Sequence, residues 1–302
     1  MKYLLLTIPF VFLSFYPAPA FEKAETRLFI FYYTREDSKA GAFFLHTADR
    51  IARRVSESLG FSFDNKVEVF LVTSFDDFKK IHPEAEHIPS WAVGAAYPAQ
   101  NIIVLLRKSG ADLEKTFSHE LNHILLGQAF KGKERVPRWL DEGLAMIQAD
   151  EWNLTRLATM TTAVLKQSLL PMDSIADSFP ADLRDAELAY CQSFYFIAFL
   201  KGRFGDEAFK NFLKEYCKYK NFQGAIRSTY RLTWNKMEGL WLDYLTLRFS
   251  WAPLITSTST IWFVATLIFL LGYVRKKRKS RRTLKEWEQE ELLSGSDDTT
   301  YN

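Results

Sequence analysis

The stretch His119-Glu120-Leu121-Asn122-His123 decides how this chain is read. It lies in segment 112–129, where Leu113, Phe117, Leu121, Ile124 and Leu125 recur at helical spacing, so a helix is expected there. On a helix, residues four apart share a face. Both imidazoles therefore reach one point, with Glu120 beside them. Two neutral imidazoles can ligate one divalent ion, and a neighbouring carboxylate can take a proton from water.

A third donor follows at a distance. Glu142 stands nineteen positions after His123, inside Pro137-Arg138-Trp139-Leu140-Asp141-Glu142-Gly143-Leu144-Ala145. Catalytic zinc takes three protein ligands and keeps one position for water. His119, His123 and Glu142 supply that set for one ion. Pro137 suits the start of a second helix. Gly143 and Ala145 are small, and are expected to let that helix come close to the first. Gly132 is a plausible stop for the first helix, with Gly127 also near its end.

H-E-x-x-H, eighteen residues, then Glu within W-L-x-E-G-L-A resembles the gluzincin metallopeptidases, and most closely the peptidase MA-like group. The motif core covers roughly residues 113–149. A weaker likeness runs to about residue 245 through Ala189-Tyr190-Cys191-Gln192-Ser193-Phe194 and Phe199-Leu200-Lys201-Gly202-Arg203-Phe204-Gly205. The resemblance implies an α+β fold with a thermolysin-like zincin catalytic domain: a small β-sheet with packed helices, an active-site helix and a mostly helical C-terminal part. It implies hydrolysis of peptide bonds in a peptide or protein substrate, with Glu120 as general base. It also implies a downstream oxyanion donor. No histidine follows His123, so a tyrosine is expected, Tyr190 first, with Tyr195 and Tyr230 as rivals.

The chain departs from the pattern in two places. Some gluzincins place an Asp four residues after the third ligand; Met146 stands there. The aminopeptidase signature G-A-M-E-N is replaced by Gly94-Ala95-Ala96-Tyr97-Pro98, which lacks the glutamate that holds a substrate amino terminus. That points away from a strict aminopeptidase and to an endopeptidase or another amide hydrolase. The alternative is a catalytically inactive ectodomain of the same fold that binds a partner.

The remaining segments fit one domain of about 230 residues. Residues 27–33, 67–72 and 102–106 read as strands, 39–59 as an amphipathic helix, and Ser74 as the cap of a short helix with Asp77 three residues on. Residues 82–101 read as an irregular loop, in which His82 and His87 flank Glu84 and Glu86. The 102–106 strand is either the cleft edge that pairs with substrate backbone, as the resemblance implies, or an ordinary interior strand. Residues 151–250 read as mostly helical, most clearly 186–201 and 206–218. Cys191 and Cys217 are either bonded or two buried thiols.

The ends suggest a membrane context. Residues 1–20 read as a secretory signal, with Lys2, an apolar run and Ala18-Pro19-Ala20. Residues 254–274 form an uncharged apolar run, long enough to cross the roughly 30 Å hydrocarbon layer. Arg275-Lys276-Lys277-Arg278-Lys279-Ser280-Arg281-Arg282 follows, the mark of a cytoplasmic side. The expected organisation is a metallopeptidase domain over 21–253 (an α+β lobe 21–108, zinc-site helices 109–150, a helical lobe 151–250). A single transmembrane helix over 254–274 and a cytoplasmic tail over 275–302 would follow, the tail ending in a disordered segment from about Ser294. The formal net charge of +3 comes from that tail and Lys2. The outer part is balanced, which gives no case for nucleic acid.

Overall fold

Three parallel strands form the centre of a five-stranded sheet, in the order β1-β2-β3-β5-β4. The computed structural model describes residues 21–82, 92–108, 110–131, 136–219, 221–249 and 258–294. The strands are β1 (Glu22–Glu25), β2 (Phe29–Tyr33), β3 (Val67–Val72), β4 (Gly94–Tyr97) and β5 (Ile102–Leu106). β2, β3 and β5 are parallel; the two outer strands run antiparallel to their neighbours. β2, β3 and β5 fall where β-branched and aromatic residues predict them.

Two strands were not legible. β1 reads Glu-Lys-Ala-Glu and exists because its backbone pairs with β2; charged residues suit an exposed edge. β4 lies in the segment expected to be a loop. Its pairing with β5 decides between the two readings of 102–106: β5 is an interior strand, flanked by β3 and β4, so β4 holds the edge.

Parallel strands need a crossover, and α1 (Ser38–Leu59) carries the chain from β2 to β3. Its Phe44, Ala48, Ile51, Ala52, Val55 and Leu59 are all buried, the one-sided stripe of a helix on a sheet. Gly60, at φ 73°, ends it in the left-handed conformation that favours glycine. α2 (Phe75–Ile81) starts as expected, Ser74 Oγ accepting from the Asp77 amide at 3.0 Å. The helix that carries the histidines, α3 (Leu113–Ala129), joins the same core. Phe117 meets Phe29 at 5.4 Å and Phe44 at 5.0 Å, ring centre to ring centre. Such pairs contribute about 0.5–1.5 kcal/mol each beyond their buried area.

The helical part of this unit comprises α4 (Arg138–Gln148), α6 (Leu183–Phe204), α7 (Asp206–Tyr219), α8 (Phe222–Tyr230) and the first half of α9 (Trp234–Phe249). Trp139 of the W-L-x-E-G stretch is its pin, in contact with Phe196 at 5.0 Å and Phe222 at 5.5 Å. Gly143 corrects an expectation. A Cβ there would lie 2.6 Å from the Ser193 carbonyl oxygen, so its smallness serves contact with α6. Gly127 instead packs on Pro98, and α3 stops at Ala129; Gly132 lies outside the described residues. Cys191 and Cys217 are buried and not joined to each other.

The chain divides into two compact units, residues 1–153 with 170–241, and residues 154–169 with 242–302. The second unit holds α5 (Leu154–Leu165), the end of α9 and α10 (Thr258–Ser294). Ile261, Phe263, Ile268 and Phe269 of α10 are among its many exposed apolar residues. Among the described residues no helix is long and apolar enough to cross a membrane. Of the span expected over 254–274, residues 254–257 lie outside the described set, and the described part does not by itself support a crossing. α10 also runs on past the basic cluster to Ser294. The signal expected over 1–20 and the tail from 295 lie outside the described residues.

Candidate metal centre

α3 begins at Asp112, whose side chain accepts from the Glu114 and Lys115 amides at 3.1 Å each. Such a cap is worth about 1 kcal/mol. Two turns on, His119 and His123 lie on one face, ring centres 5.1 Å apart. Their Nε2 atoms point toward Glu142 Oε2, at 3.6 Å and 3.9 Å. One donor atom from each of the three residues falls within 4.8 Å of the others. Donors about 2.0–2.1 Å from a tetrahedral zinc stand roughly 3.3 Å from one another. The residues fit such an ion: two imidazoles, one carboxylate, and nitrogen–oxygen spacings of 3.6 Å and 3.9 Å near that value.

The outer nitrogens are also held. His123 Nδ1 lies 2.7 Å from Asp141 Oδ1, and His119 Nδ1 lies 2.8 Å from Glu151 Oε1. A carboxylate on Nδ1 keeps the proton there and leaves Nε2 as the donor to a metal. Met146, at the position where some gluzincins carry an Asp, is a buried core residue. Glu151 is brought in by a tight turn after α4: Asp150 has φ 49°, and the Glu151 amide donates to the Met146 carbonyl at 3.0 Å. Asn122 ties the two helices, its Nδ2 donating to the Asp141 carbonyl at 3.3 Å.

Glu142 carries an ion pair on its other oxygen. Arg138, one helical turn earlier, holds Oε1 at 2.9 Å. Burial raises the Glu142 pKa, but hydrogen bonding to His119 and the charges of His123 and Arg138 outweigh it and hold it near about 2. Glu120 is buried without such partners; burial lifts its pKa above the ordinary carboxylate range against the pull of the two histidines. Its neighbour across the site is β4. A Cβ at Gly94 would come within 2.6 Å of Glu120 Oε1, so the glycine is what allows the edge strand to lie against this carboxylate.

The structure brings together His119, Glu120, His123, Glu142 and Tyr190. Burial, and then the charge of Glu142, raise the Tyr190 pKa against the pull of the Arg138 charge. Tyr195 and Tyr230 are core residues: Tyr195 packs on Phe194, and Tyr230 on Phe204 and Phe212. His82 stacks on Tyr97 with centres 3.9 Å apart; Glu84, Glu86 and His87 lie outside the described residues. Sequence reasoning gave Asp141, the neighbour of Glu142, no assigned role, and missed Glu151 and Arg138 as site residues. Of these, only Arg138 left a signal, its i,i+4 spacing to Glu142.

A family model described as the peptidase MA superfamily matches residues 47–247, well over half of the chain.

The chain belongs to the peptidase MA superfamily.

The matched region contains all the residues of the candidate centre, and the fold is that of a zincin-like peptidase, helices packed with a small sheet. No curated protein sequence matches this member of the superfamily. It is similar to solved structures of M1-type enzymes. Native leukotriene A4 hydrolase from Saccharomyces cerevisiae shares 14% identity at a TM-score of 0.44, over 74% of this chain and 38% of that one. An M1 zinc metallopeptidase from Deinococcus radiodurans shares 17% identity at a TM-score of 0.41, over 74% of this chain and 51% of that one. The chain thus spans between about two fifths and one half of the length of these proteins.

Proposed function

We propose that this protein is a zinc-dependent peptidase whose ligands are His119, His123 and Glu142 and whose general base is Glu120. The observation that carries this reading is the convergence of two Nε2 atoms and Glu142 Oε2 on one point beside a buried carboxylate. Zinc bound there supplies a Lewis acid, which lowers the pKa of water to about 7 and polarises a scissile carbonyl. Glu120 takes a proton from the attacking water and passes it to the leaving amine. Burial raises its pKa, the direction that makes a carboxylate a stronger base. Tyr190 is the candidate donor to the developing oxyanion, a role for a phenol that stays protonated.

Substrate backbone is proposed to pair with β4, the edge strand that lies against Glu120. β4 carries no carboxylate to hold a substrate amino terminus, which favours cleavage within a peptide. Anchoring is proposed from sequence: the uncharged run 254–274, the basic cluster after it and the signal-like 1–20 favour a single-pass protein with its catalytic part outside the cytoplasm. Resistance to carbonate extraction by the full chain, lost on truncation before 254, tests the anchor.

Metal analysis of the purified protein, with proteolysis of an unbiased peptide library, tests the activity. One zinc per chain and cleavage that disappears in Glu120→Gln with zinc retained are expected. Zinc without hydrolysis by the unmutated protein leaves the binding-protein reading instead.

A further inference from the structure

Arg138 sits where three groups of the site meet. It is the first residue of α4, and its amide donates to the Ala176 carbonyl at 2.6 Å, which pins the helix start. Its guanidinium holds Glu142 Oε1 at 2.9 Å and lies over the Phe179 ring at 5.3 Å, and its charge acts on the neighbouring Tyr190 hydroxyl. Phe179 in turn meets Tyr190 edge-on, ring centres 4.8 Å apart and planes at 89°. The guanidinium is thus held on one face by an aromatic ring and along its edge by Glu142, with Tyr190 beside the same ring.

We propose that Arg138 is a positioning residue that makes Glu142 a one-oxygen ligand and sets the Tyr190 hydroxyl beside it. This rests on the zinc reading above. A carboxylate free on both oxygens can offer either one or two of them to a metal. Here Oε1 is engaged by a fixed cation while Oε2 faces His119 and His123, so the carboxylate cannot rotate to present both. The other half of the guanidinium fork is left to serve Tyr190, which packs on the same Phe179 ring. Only arginine can serve both partners at once, because its donors are spread over a rigid plane, whereas lysine is a single point charge.

The test uses the full chain with cobalt(II) in place of zinc, in Arg138→Gln, Arg138→Lys and Tyr190→Phe variants. Arg138→Gln is expected to weaken the visible cobalt band and move it to shorter wavelength, as the second carboxylate oxygen joins the coordination. Arg138→Lys is expected to keep the unmutated spectrum, since a cation still holds Oε1, yet to lose as much kcat as Tyr190→Phe. The double variant Arg138→Gln/Tyr190→Phe is expected to be no slower than Arg138→Gln alone. An Arg138→Gln spectrum identical to that of the unmutated protein overturns the proposal, as do losses that multiply independently in the double variant. If Arg138→Gln does not fold, an Arg138→Lys variant with full kcat overturns it. Failure of the unmutated protein to take up cobalt would instead remove the zinc reading itself, and this inference with it.

Discussion

Asp141 and His123 are joined through Oδ1 and Nδ1 at 2.7 Å, and the residue next to Asp141 is the glutamate that faces the other nitrogen of the same ring at 3.9 Å. Two consecutive residues of α4 therefore grip both ends of one imidazole. The ring cannot turn without breaking one contact, which fixes both its tautomer and its aim. His119 has the same arrangement with partners further apart in sequence, Glu142 and Glu151.

Removing either outer carboxylate should loosen the metal. Asp141→Ala and Glu151→Gln are each expected to weaken zinc binding by about 10–100-fold, the usual cost of losing a group that orients a ligating histidine. Competition with a chromophoric chelator measures this. An unchanged affinity in both variants would show that the rings are held by packing alone.

Zinc affinity should climb with pH. In the metal-free protein His123 keeps its proton up to about 9: burial lowers its pKa, but Asp141 and Glu142 outweigh that. His119 is raised well above its ordinary value too, where hydrogen bonds to Glu142 and Glu151 overcome burial. A histidine raised in this way contributes stability that is complete below about 6.5 and is lost as pH rises through about 9. Zinc needs the unprotonated Nε2, so it competes with that proton. Between pH 7 and 9 the metal-free melting temperature is expected to fall and the added stabilisation by zinc to grow. Melting curves with zinc and with EDTA across that range check it; a zinc increment that is flat or shrinking sinks the idea.

Gly94→Ala places a methyl group 2.6 Å from both Glu120 Oε1 and Thr116 Cγ2. The glutamate must swing away while the three ligands stay where they are. A displacement of this size costs up to about 100-fold in rate. The expected result is a fall in kcat of about 10–100-fold with one zinc still bound, measured by metal analysis beside steady-state kinetics.

Gly143→Ala separates propensity from packing. In an exposed helix the change gains about 1 kcal/mol. Here the new Cβ would sit 2.6 Å from a backbone carbonyl of α6, which cannot yield as a side chain would. Overpacking costs typically about 1–3 kcal/mol, so a net loss of up to about 2 kcal/mol is expected. At about 2–4 °C per kcal/mol for a domain of this size, the melting temperature should drop by several degrees. A rise would mean that α4 and α6 can separate freely.

The cluster of three side chains that could hold an ion was legible because it is local. His119 and His123 lie one turn apart on a strongly periodic helix, and Glu142 lies in a stretch whose residue types admit few other readings. The three central strands were legible for the same reason, each a run of β-branched and aromatic residues. β1 and β4 were not, because short charged or glycine-rich segments become strands only when a neighbour offers its backbone. The orienting carboxylates Asp141 and Glu151 could not be read off either. Their partners lie 18 and 32 positions away in sequence, and an aspartate or glutamate beside a helix end looks the same whether it meets solvent or an imidazole. The sequence by itself determined which three side chains can share an ion, since helical spacing fixes which residues face one way. Only the tertiary structure decided which oxygen of Glu142 faces the histidines, because Arg138 claims the other one, and that choice depends on how α4 is seated against Tyr190 and Phe179.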